Sequence, residues 1–152
     1  MASRKFTVQS TIHTSFTVPD LDRVVAFFTE GLGFTARPAN APQQLMEDIT
    51  GVEGAAVRCV VVQCPGQHEL ELFEYVAPAE RPAYTPRPCD VGAAHVAFMV
   101  DDLDAAIATA ADYGFKPADK ICAISAAENL DLRLVYLRDA AGLTIEFLQS
   151  NK

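Results

Sequence analysis

The fold is decided by a ten-residue stretch that occurs twice, as HTSFTVPDLD at residues 13–22 and as HVAFMVDDLD at residues 95–104. Six of the ten positions are identical: His, Phe, Val, Asp, Leu and Asp. A second pair of blocks, RCVVVQCPGQHELE at 58–71 and RLVYLRDAAGLTIE at 133–146, shares its first Arg, its last Glu and an alternating apolar pattern. Self-similarity on this scale indicates a duplicated half of about 75 residues.

Each copy begins with a strand and a helix. Residues Thr11–Val18 alternate and are rich in β-formers, which predicts a strand. Asp20 is suited to cap a helix whose apolar residues then recur at helical spacing, and Gly31 and Gly33 are typical of its end. The segment Pro38–Gly54 reads as a long connection with one helical turn near its middle.

The later elements follow the same order in both halves. We predict further strands and helices at Phe34–Arg37, Val57–Gln63, His68–Val76, Ala94–Val100, Asp102–Tyr113, Phe115–Lys116, Leu132–Arg138 and Leu143–Gln149. Four prolines make residues 77–90 a stiff linker. The sequence therefore predicts an α+β chain with a first module at 8–78, a linker at 79–91 and a second module at 92–150.

Composition excludes several classes of protein. The chain has 152 residues, 50% of them hydrophobic and 21% charged, as expected of a globular protein. Twelve basic and twenty acidic residues give a net charge of −8, which argues against nucleic-acid binding and against docking on an anionic membrane. No apolar run is long enough to cross a bilayer, and the N-terminus does not resemble a secretory signal.

The four cysteines indicate a reducing compartment. No two of Cys59, Cys64, Cys89 and Cys122 have the spacing of a zinc ribbon. We interpret them as reduced thiols that act as small apolar residues, and we expect a cytoplasmic protein.

The repeat places four chemically active side chains at matching positions. His13 and His95 lie on the first strand of each half, and Glu71 and Glu146 on the last. A lone carboxylate in the middle of an apolar strand costs several kcal/mol unless it is paired, protonated or bound to a cation. Two imidazoles and two carboxylates form a ligand set for one divalent metal ion with open positions. The alternative is that each is an ordinary structural residue.

These motifs resemble those of the vicinal oxygen chelate superfamily, also called the glyoxalase, bleomycin-resistance and dioxygenase superfamily. The resemblance covers residues 12–148 and is carried by HTSFTVPDLDRVVAFFTEGLGF, LELFEY, GAAHVAFMVDDLDAA and VYLRDAAGLTIEFLQ. It implies two βαβββ modules in tandem that form an incomplete barrel around one metal ion. His13, Glu71, His95 and Glu146 fall on the family's metal positions.

The resemblance also implies an enzyme. A four-ligand set is similar to that of glyoxalase I, a lactoylglutathione lyase, and of epimerase-like members, which move a proton beside a carbonyl group. We expect a metal-dependent lyase or isomerase acting on a small substrate with vicinal oxygens, with Glu146 or Glu71 transferring the proton. Nickel, zinc, cobalt, manganese and iron all suit such a site. The alternatives are an extradiol-type dioxygenase and a metal-free binding or resistance protein.

Two departures from named members argue against recognition of glutathione and against epimerisation by two bases. Thr17 stands where glyoxalases often carry an Arg that binds glutathione, and Arg58 stands near a second catalytic Glu of the epimerases.

Four further residues are candidates for binding the substrate. Arg58 and Arg133 either bind it or form structural salt bridges, and Tyr75 and Tyr136 either contact it or pack in the core. We also expect a homodimer, because the resemblance implies one and an incomplete barrel leaves sheet edges that need cover.

Overall fold

The computed structural model describes residues 5–126 and 130–151 and contains two mixed β-sheets. The first sheet has the strand order β1-β4-β3-β2, and the second has the order β5-β9-β8-β6, with β7 also paired to β8. The strands are β1 (His13–Thr17), β2 (Thr35–Pro38), β3 (Ala56–Gln63), β4 (Glu69–Ala77), β5 (His95–Met99), β6 (Lys116–Pro117), β7 (Cys122–Ala126), β8 (Leu130–Arg138) and β9 (Thr144–Ser150). The predicted α+β fold is confirmed.

The two halves share one pairing scheme. In each, the first strand runs parallel to the last, β1 against β4 and β5 against β9, and the other pairs are antiparallel. The register repeats as well, because Ser15 lies opposite Glu71 and Ala97 lies opposite Glu146, each two residues beyond the repeated His. The duplication seen in the sequence is therefore also a duplication of strand register.

Within the described residues, three α-helices accompany the sheets: α1 (Leu21–Ala26), α2 (Gln43–Thr50) and α3 (Leu103–Asp112). Asp20 and Asp102 cap α1 and α3, each accepting a backbone N–H bond of 2.9 Å from the residue three positions on. A π-helical turn at Phe27–Gly31 extends α1. No helix in the described part of the chain is both long and apolar enough to span a bilayer.

A common apolar core joins the halves on the helix-covered side of the sheets. Phe27 of the first half lies 4.5 Å from the Phe115 ring and 5.8 Å from the Tyr113 ring of the second, measured between ring centres. Phe28 likewise packs against Phe98 on β5. Burying side chains of this size contributes about 1.5–3 kcal/mol each, so the halves stabilise one another through this side.

Each sheet has a second face, which carries the polar side chains of the repeat. Along β4, Leu70 and Leu72 are fully buried in the core, whereas Glu69 and Glu71 alternate with them and point the other way. We call the side that carries Glu71 and Glu146 the open face of each sheet.

Two elements differ from the sequence prediction. The connection after Pro38 contains the eight-residue helix α2, not a single turn, and its Met46 is buried. The strand β7 was not predicted, because Cys122–Ala126 is rich in residues with little β-propensity and is held by its pairing with β8.

Candidate metal centre

The first predicted pair of ligands is in contact. His13 on β1 and Glu71 on β4 lie on neighbouring parallel strands, and the distance from His13 Nε2 to Glu71 Oε2 is 3.4 Å. Ser15 fixes the strand beside them, because its hydroxyl donates to the Glu71 carbonyl oxygen at 3.2 Å. The His13 side chain is 44% exposed and the Glu71 side chain 22%, so both are open to a ligand from the open face.

The second pair repeats this geometry. The distance from His95 Nε2 to Glu146 Oε2 is 3.3 Å, and the side chains are 41% and 13% exposed. The Tyr136 ring packs on the imidazole of His95 with its centre 4.8 Å away. Tyr136 also lies directly opposite Glu146 in the strand register. Of the two predicted substrate-contacting tyrosines, Tyr136 is therefore the one that lies at a predicted metal ligand.

The residues fit a divalent metal ion. Two ligand atoms bound at about 2.1 Å to the same tetrahedral ion are about 3.4 Å apart. The nitrogen–oxygen distances of 3.4 and 3.3 Å in the two pairs match that separation. Imidazole and carboxylate donors also suit nickel, zinc, cobalt, manganese and iron alike.

Each half supplies only two of the four predicted ligands. Within residues 5–126 and 130–151 of one chain, no three His, Cys, Asp or Glu side chains are close enough to hold an ion together. The structure thus brings the ligands together as two His–Glu pairs, not as one cluster. The reason is that the halves share the core behind their sheets, whereas the pairs lie on the open faces.

A thiol and an ion pair surround Glu71. The Cys59 thiol lies 3.8 Å from Glu71 Oε1 and donates to it, while Oε2 faces His13. Burial raises the pKa of the Cys59 thiol to about 11, and the nearby Glu71 carboxylate adds to the effect. On the same face, Arg37 of β2 donates to both carboxylate oxygens of Glu69 at 3.2 and 3.3 Å.

Sequence reasoning did not identify this environment. Period-two alternation does place Glu69 on the same face as Glu71. No sequence signal placed Arg37 or Cys59, because their positions depend on how β2 pairs with β3 and how β3 pairs with β4.

Arg58 and Arg133 lie on the opposite face from the predicted ligands. The Arg58 guanidinium bonds Asp22 of α1 at 2.5 Å and Glu74 at 2.7 Å. Arg133 bonds Asp104 of α3 at 3.1 Å, which is the same contact in the second half. The structure therefore places both arginines in salt bridges between strand and helix, which is the alternative to substrate binding that the sequence left open.

Tyr75 is on the open face but away from His13. Its ring lies 6.5 Å from that of Phe73, and the Arg81 guanidinium is 6.0 Å from its centre. His68, the histidine outside the repeated motif, contacts the Thr14 hydroxyl at 3.1 Å and belongs to neither pair.

Two cavities lie beside the linker. They have volumes of about 320 and 510 Å³, and both are lined by Thr17, Pro19, Tyr84 and Ala141. None of the four predicted ligands lines either cavity. The open faces, and not these cavities, therefore carry the chemically active groups.

Two curated proteins match part of the chain. A 2-epi-5-epi-valiolone epimerase from Actinomyces sp is 39% identical over 103 residues, which cover 62% of this chain and 53% of that protein. The uncharacterized protein YaeR of Escherichia coli K12 is 34% identical over 84 residues, covering 55% of this chain and 60% of its own. This chain thus spans little more than half the length of the curated relatives it matches.

Solved structures share the fold over nearly the whole chain. A glyoxalase family protein from Bacillus cereus superposes with a TM-score of 0.80 at 24% identity, covering 97% of this chain and 98% of that one. A glyoxalase family protein from Enterococcus faecalis gives a TM-score of 0.59 at 20% identity, covering 92% and 97%. A family model matches residues 12–136. The chain belongs to the glyoxalase/bleomycin resistance protein/dioxygenase superfamily.

Proposed function

We propose that this protein is a metal-dependent isomerase that transfers a proton beside a carbonyl group of a small substrate with vicinal oxygens, related in mechanism to glyoxalase I. The observation that carries the proposal is the pair of matching His–Glu contacts, at 3.4 and 3.3 Å, on the open faces of the two sheets. The similarity to an epimerase supports it, because an epimerase inverts a stereocentre, and inversion beside a carbonyl is a proton transfer.

The ligand set is His13, Glu71, His95 and Glu146. A divalent ion bound there supplies a Lewis acid that polarises a carbonyl oxygen. The protein supplies the proton carrier: the carboxylate of Glu146 or Glu71 accepts the proton next to the carbonyl and returns it to the other face or the neighbouring carbon. At 13% and 22% exposure, both carboxylates are partly buried but still reach the open face, so a proton that they carry can exchange with the solvent between turnovers.

One residue beside each His–Glu pair orients a ligand in this mechanism. The Cys59 thiol holds one oxygen of Glu71 and so fixes the orientation of that carboxylate. Tyr136 packs on the His95 ring and restricts its rotation. Oriented ligands bind more tightly, because less freedom is lost on binding.

We further propose that two copies of the chain complete each site as a homodimer. The first half of one copy contributes His13 and Glu71, and the second half of its partner contributes His95 and Glu146. Two facts support this arrangement: each half of the described chain offers two ligands only, and both His-bearing strands, β1 and β5, are sheet edges. Two-fold symmetry then generates two equivalent sites per dimer.

Metal analysis tests the ligand set. Protein purified without a His tag is loaded separately with nickel, zinc, cobalt, manganese and iron, desalted and analysed for bound metal. We expect one ion per chain in the wild type and a loss of bound metal in His13→Ala, His95→Ala and Glu146→Gln. His68→Ala is the matched control and keeps its metal, because His68 belongs to neither pair. A wild type that retains no metal under any of these conditions overturns the proposal.

Mixing two inactive variants tests the shared site. His13→Ala and His95→Ala chains are unfolded together and refolded as a mixture. If each site spans two copies, half of the dimers are mixed and each has one intact site, which restores about a quarter of the metal sites. If all four ligands come from one chain, no site is restored.

Proton exchange tests the reaction. The metal-loaded protein is incubated in D₂O with hydroxyketones, hemithioacetals and 2-methyl acyl-CoAs, and deuterium at the carbon beside the carbonyl is followed by NMR. We expect exchange with at least one class and loss of exchange in Glu146→Gln.

A further inference from the structure

The ion pair between Arg37 and Glu69 lies within the candidate site. In the strand register, Arg37 of β2 is opposite Val61 of β3, which is opposite Glu71 of β4. Arg37 and Glu71 are therefore on one row of the open face, with a single strand between them. The Arg37 side chain extends diagonally across that strand to Glu69.

Glu69 is also a neighbour of the first histidine. It is the register partner of His13 on the adjoining strand, so the Arg37–Glu69 ion pair lies directly beside a predicted metal ligand. The Arg37 side chain is 61% exposed, whereas that of Glu69 is 23% exposed. The pair thus presents its guanidinium to whatever occupies the open face of the first sheet.

The contact leaves donors and acceptors for a ligand. A single nitrogen, Nη2, donates to both oxygens of Glu69. Among the hydrogen bonds of the described residues, none is formed by Nε or Nη1 of Arg37, and with the side chain 61% exposed these N–H groups are accessible to a ligand. Each carboxylate oxygen has lone pairs beyond the one that accepts from Nη2. Adjacent donors and acceptors of this kind suit hydroxyl groups, which both donate and accept.

The net charge of the pair disfavours an anion. The charges of Arg37 and Glu69 cancel, and the Glu71 carboxylate is close by. A phosphate would have to compete with Glu69 for the guanidinium and bear the repulsion of that carboxylate. A neutral polyol can bind without displacing Glu69 and without electrostatic repulsion.

The described residues of the second half contain no equivalent pair. Thr144, 75 residues beyond Glu69, takes its place opposite His95. The nearest guanidinium there, that of Arg138, donates to the Thr144 hydroxyl at 3.2 Å and to the backbone carbonyl of Pro86 in the linker. That arginine is thus held by the protein itself, and among the described residues only the first half has an arginine paired with a carboxylate opposite its repeated histidine.

We propose that Arg37 and Glu69 together bind the hydroxyl groups of a neutral, polyhydroxylated ketone and so set the specificity of the site. This inference rests on the proposed function and names its substrate class. The guanidinium donates to hydroxyls next to the reacting carbon, and the Glu69 carboxylate accepts from them and keeps the guanidinium from capturing anions.

Matched neutral and phosphorylated ketones test the inference. Erythrulose and an inosose are compared with erythrulose 4-phosphate and dihydroxyacetone phosphate. Calorimetry gives dissociation constants, and deuterium exchange gives kcat/KM. We expect the wild type to bind and exchange the neutral ketones and to disfavour the phosphorylated ones. Arg37→Met lowers kcat/KM for the neutral ketones about tenfold or more.

Glu69→Gln distinguishes specificity from general damage. With the carboxylate gone, the guanidinium is uncompensated, so we expect the variant to bind erythrulose less tightly and erythrulose 4-phosphate more tightly than the wild type. Glu74→Gln is the control, since it makes the same change on the same strand but on the opposite face, where Glu74 pairs with Arg58. It leaves the preference unchanged.

The outcomes separate the two proposals. A wild type that prefers phosphorylated ketones, or that binds no neutral ketone, overturns the inference, as does equal behaviour of Glu69→Gln and Glu74→Gln. Proton exchange restricted to phosphorylated ketones, hemithioacetals or acyl-CoAs leaves the proposed function standing. Absence of metal binding and of exchange with every class overturns the proposed function itself.

Discussion

Arg23 of the first half and Asp139 of the second form an ion pair at 2.6 Å that ties the two halves together. The Asp139 side chain is only 1% exposed, and it also accepts backbone N–H bonds of 2.9 Å from Ala141 and Leu143. Arg23 donates in addition to the Tyr113 carbonyl oxygen at 2.7 Å. The carboxylate therefore satisfies both a hairpin turn and a guanidinium from the other half.

Removing this carboxylate should destabilise the whole fold. We expect Asp139→Ala to lower the free energy of unfolding by about 3–5 kcal/mol, because it leaves a partly buried guanidinium and two backbone N–H groups without their acceptor. Urea denaturation at one fixed protein concentration measures the change. Asp90→Ala is the control, because it removes a carboxylate that pairs with the 74% exposed Arg87 side chain and accepts one backbone N–H bond, and it should cost only about 1 kcal/mol. Equal losses in both variants would contradict this account.

The turn at Gly142 is predicted to be intolerant of a side chain. Gly142 has φ +88°, and a Cβ there would approach Pro86 Cδ and Thr85 Cγ2 at 3.1 Å. Gly66 has a similar φ of +79° but open space around it. We expect Gly66→Ala to cost about 1 kcal/mol from backbone strain and Gly142→Ala about 2–3 kcal/mol, since it also displaces the linker. Thermal unfolding of the two variants compares them directly.

Arg58 should be dispensable for catalysis. It lies on the face opposite His13 and Glu71, so we expect Arg58→Met to keep KM and kcat within about twofold of the wild type. Steady-state kinetics on any substrate that the exchange assay identifies measures both constants. A rise in KM of more than tenfold would restore this arginine as a substrate-binding residue.

The same variant should change the response to acid. The hydrogen bond from Arg58 lowers the pKa of the Asp22 carboxyl. A lowered pKa contributes stability above the ordinary value of about 4, and the contribution is lost as pH falls through the lowered pKa. In Arg58→Met that part of the acid sensitivity should disappear. Unfolding measured between pH 7 and pH 3 for both proteins, in the same buffer series, checks the sign.

The cysteines should divide into reactive and unreactive groups. Cys89 and Cys122 are exposed, whereas Cys64 is buried and burial raises the pKa of its thiol to about 11. At pH 8 we expect iodoacetamide to modify the two exposed thiols first, as read by mass spectrometry of peptides. The raised pKa also stabilises the fold below about pH 9, and that contribution is lost as pH rises toward 11. Rapid modification of Cys64 in the native protein would contradict the buried assignment.

The local sequence pattern predicted most of the helices and strands. It failed for a strand that forms only because it pairs with a distant segment. The helices after Asp20 and Asp102 were predicted because an N-cap and helical spacing are properties of adjacent residues. The strand Cys122–Ala126 was missed, because it exists through its hydrogen bonds to β8. Only the register of distant segments supplies those bonds, and a sequence does not show it.

Repetition in the sequence did not distinguish candidate ligands from residues with a structural role. Arg58 and Arg133 repeat as faithfully as the histidines do, yet the structure uses them to bond Asp22 and Asp104 of the helices. The same duplicated motif thus contains a structural pair and a candidate ligand pair. They differ only in the sheet face on which the side chain lies, which the sheet register and the packed helices determine.

The sequence by itself determined that each half carries one His on its first strand and one Glu on its last, because a duplicated motif puts the same residue types at matching positions. Only the tertiary structure decided that one chain holds these groups as two separate pairs. The physical reason is that the largest apolar surfaces, including Phe27, Phe28 and Phe115, are buried between the halves behind the sheets. That burial leaves both polar faces open.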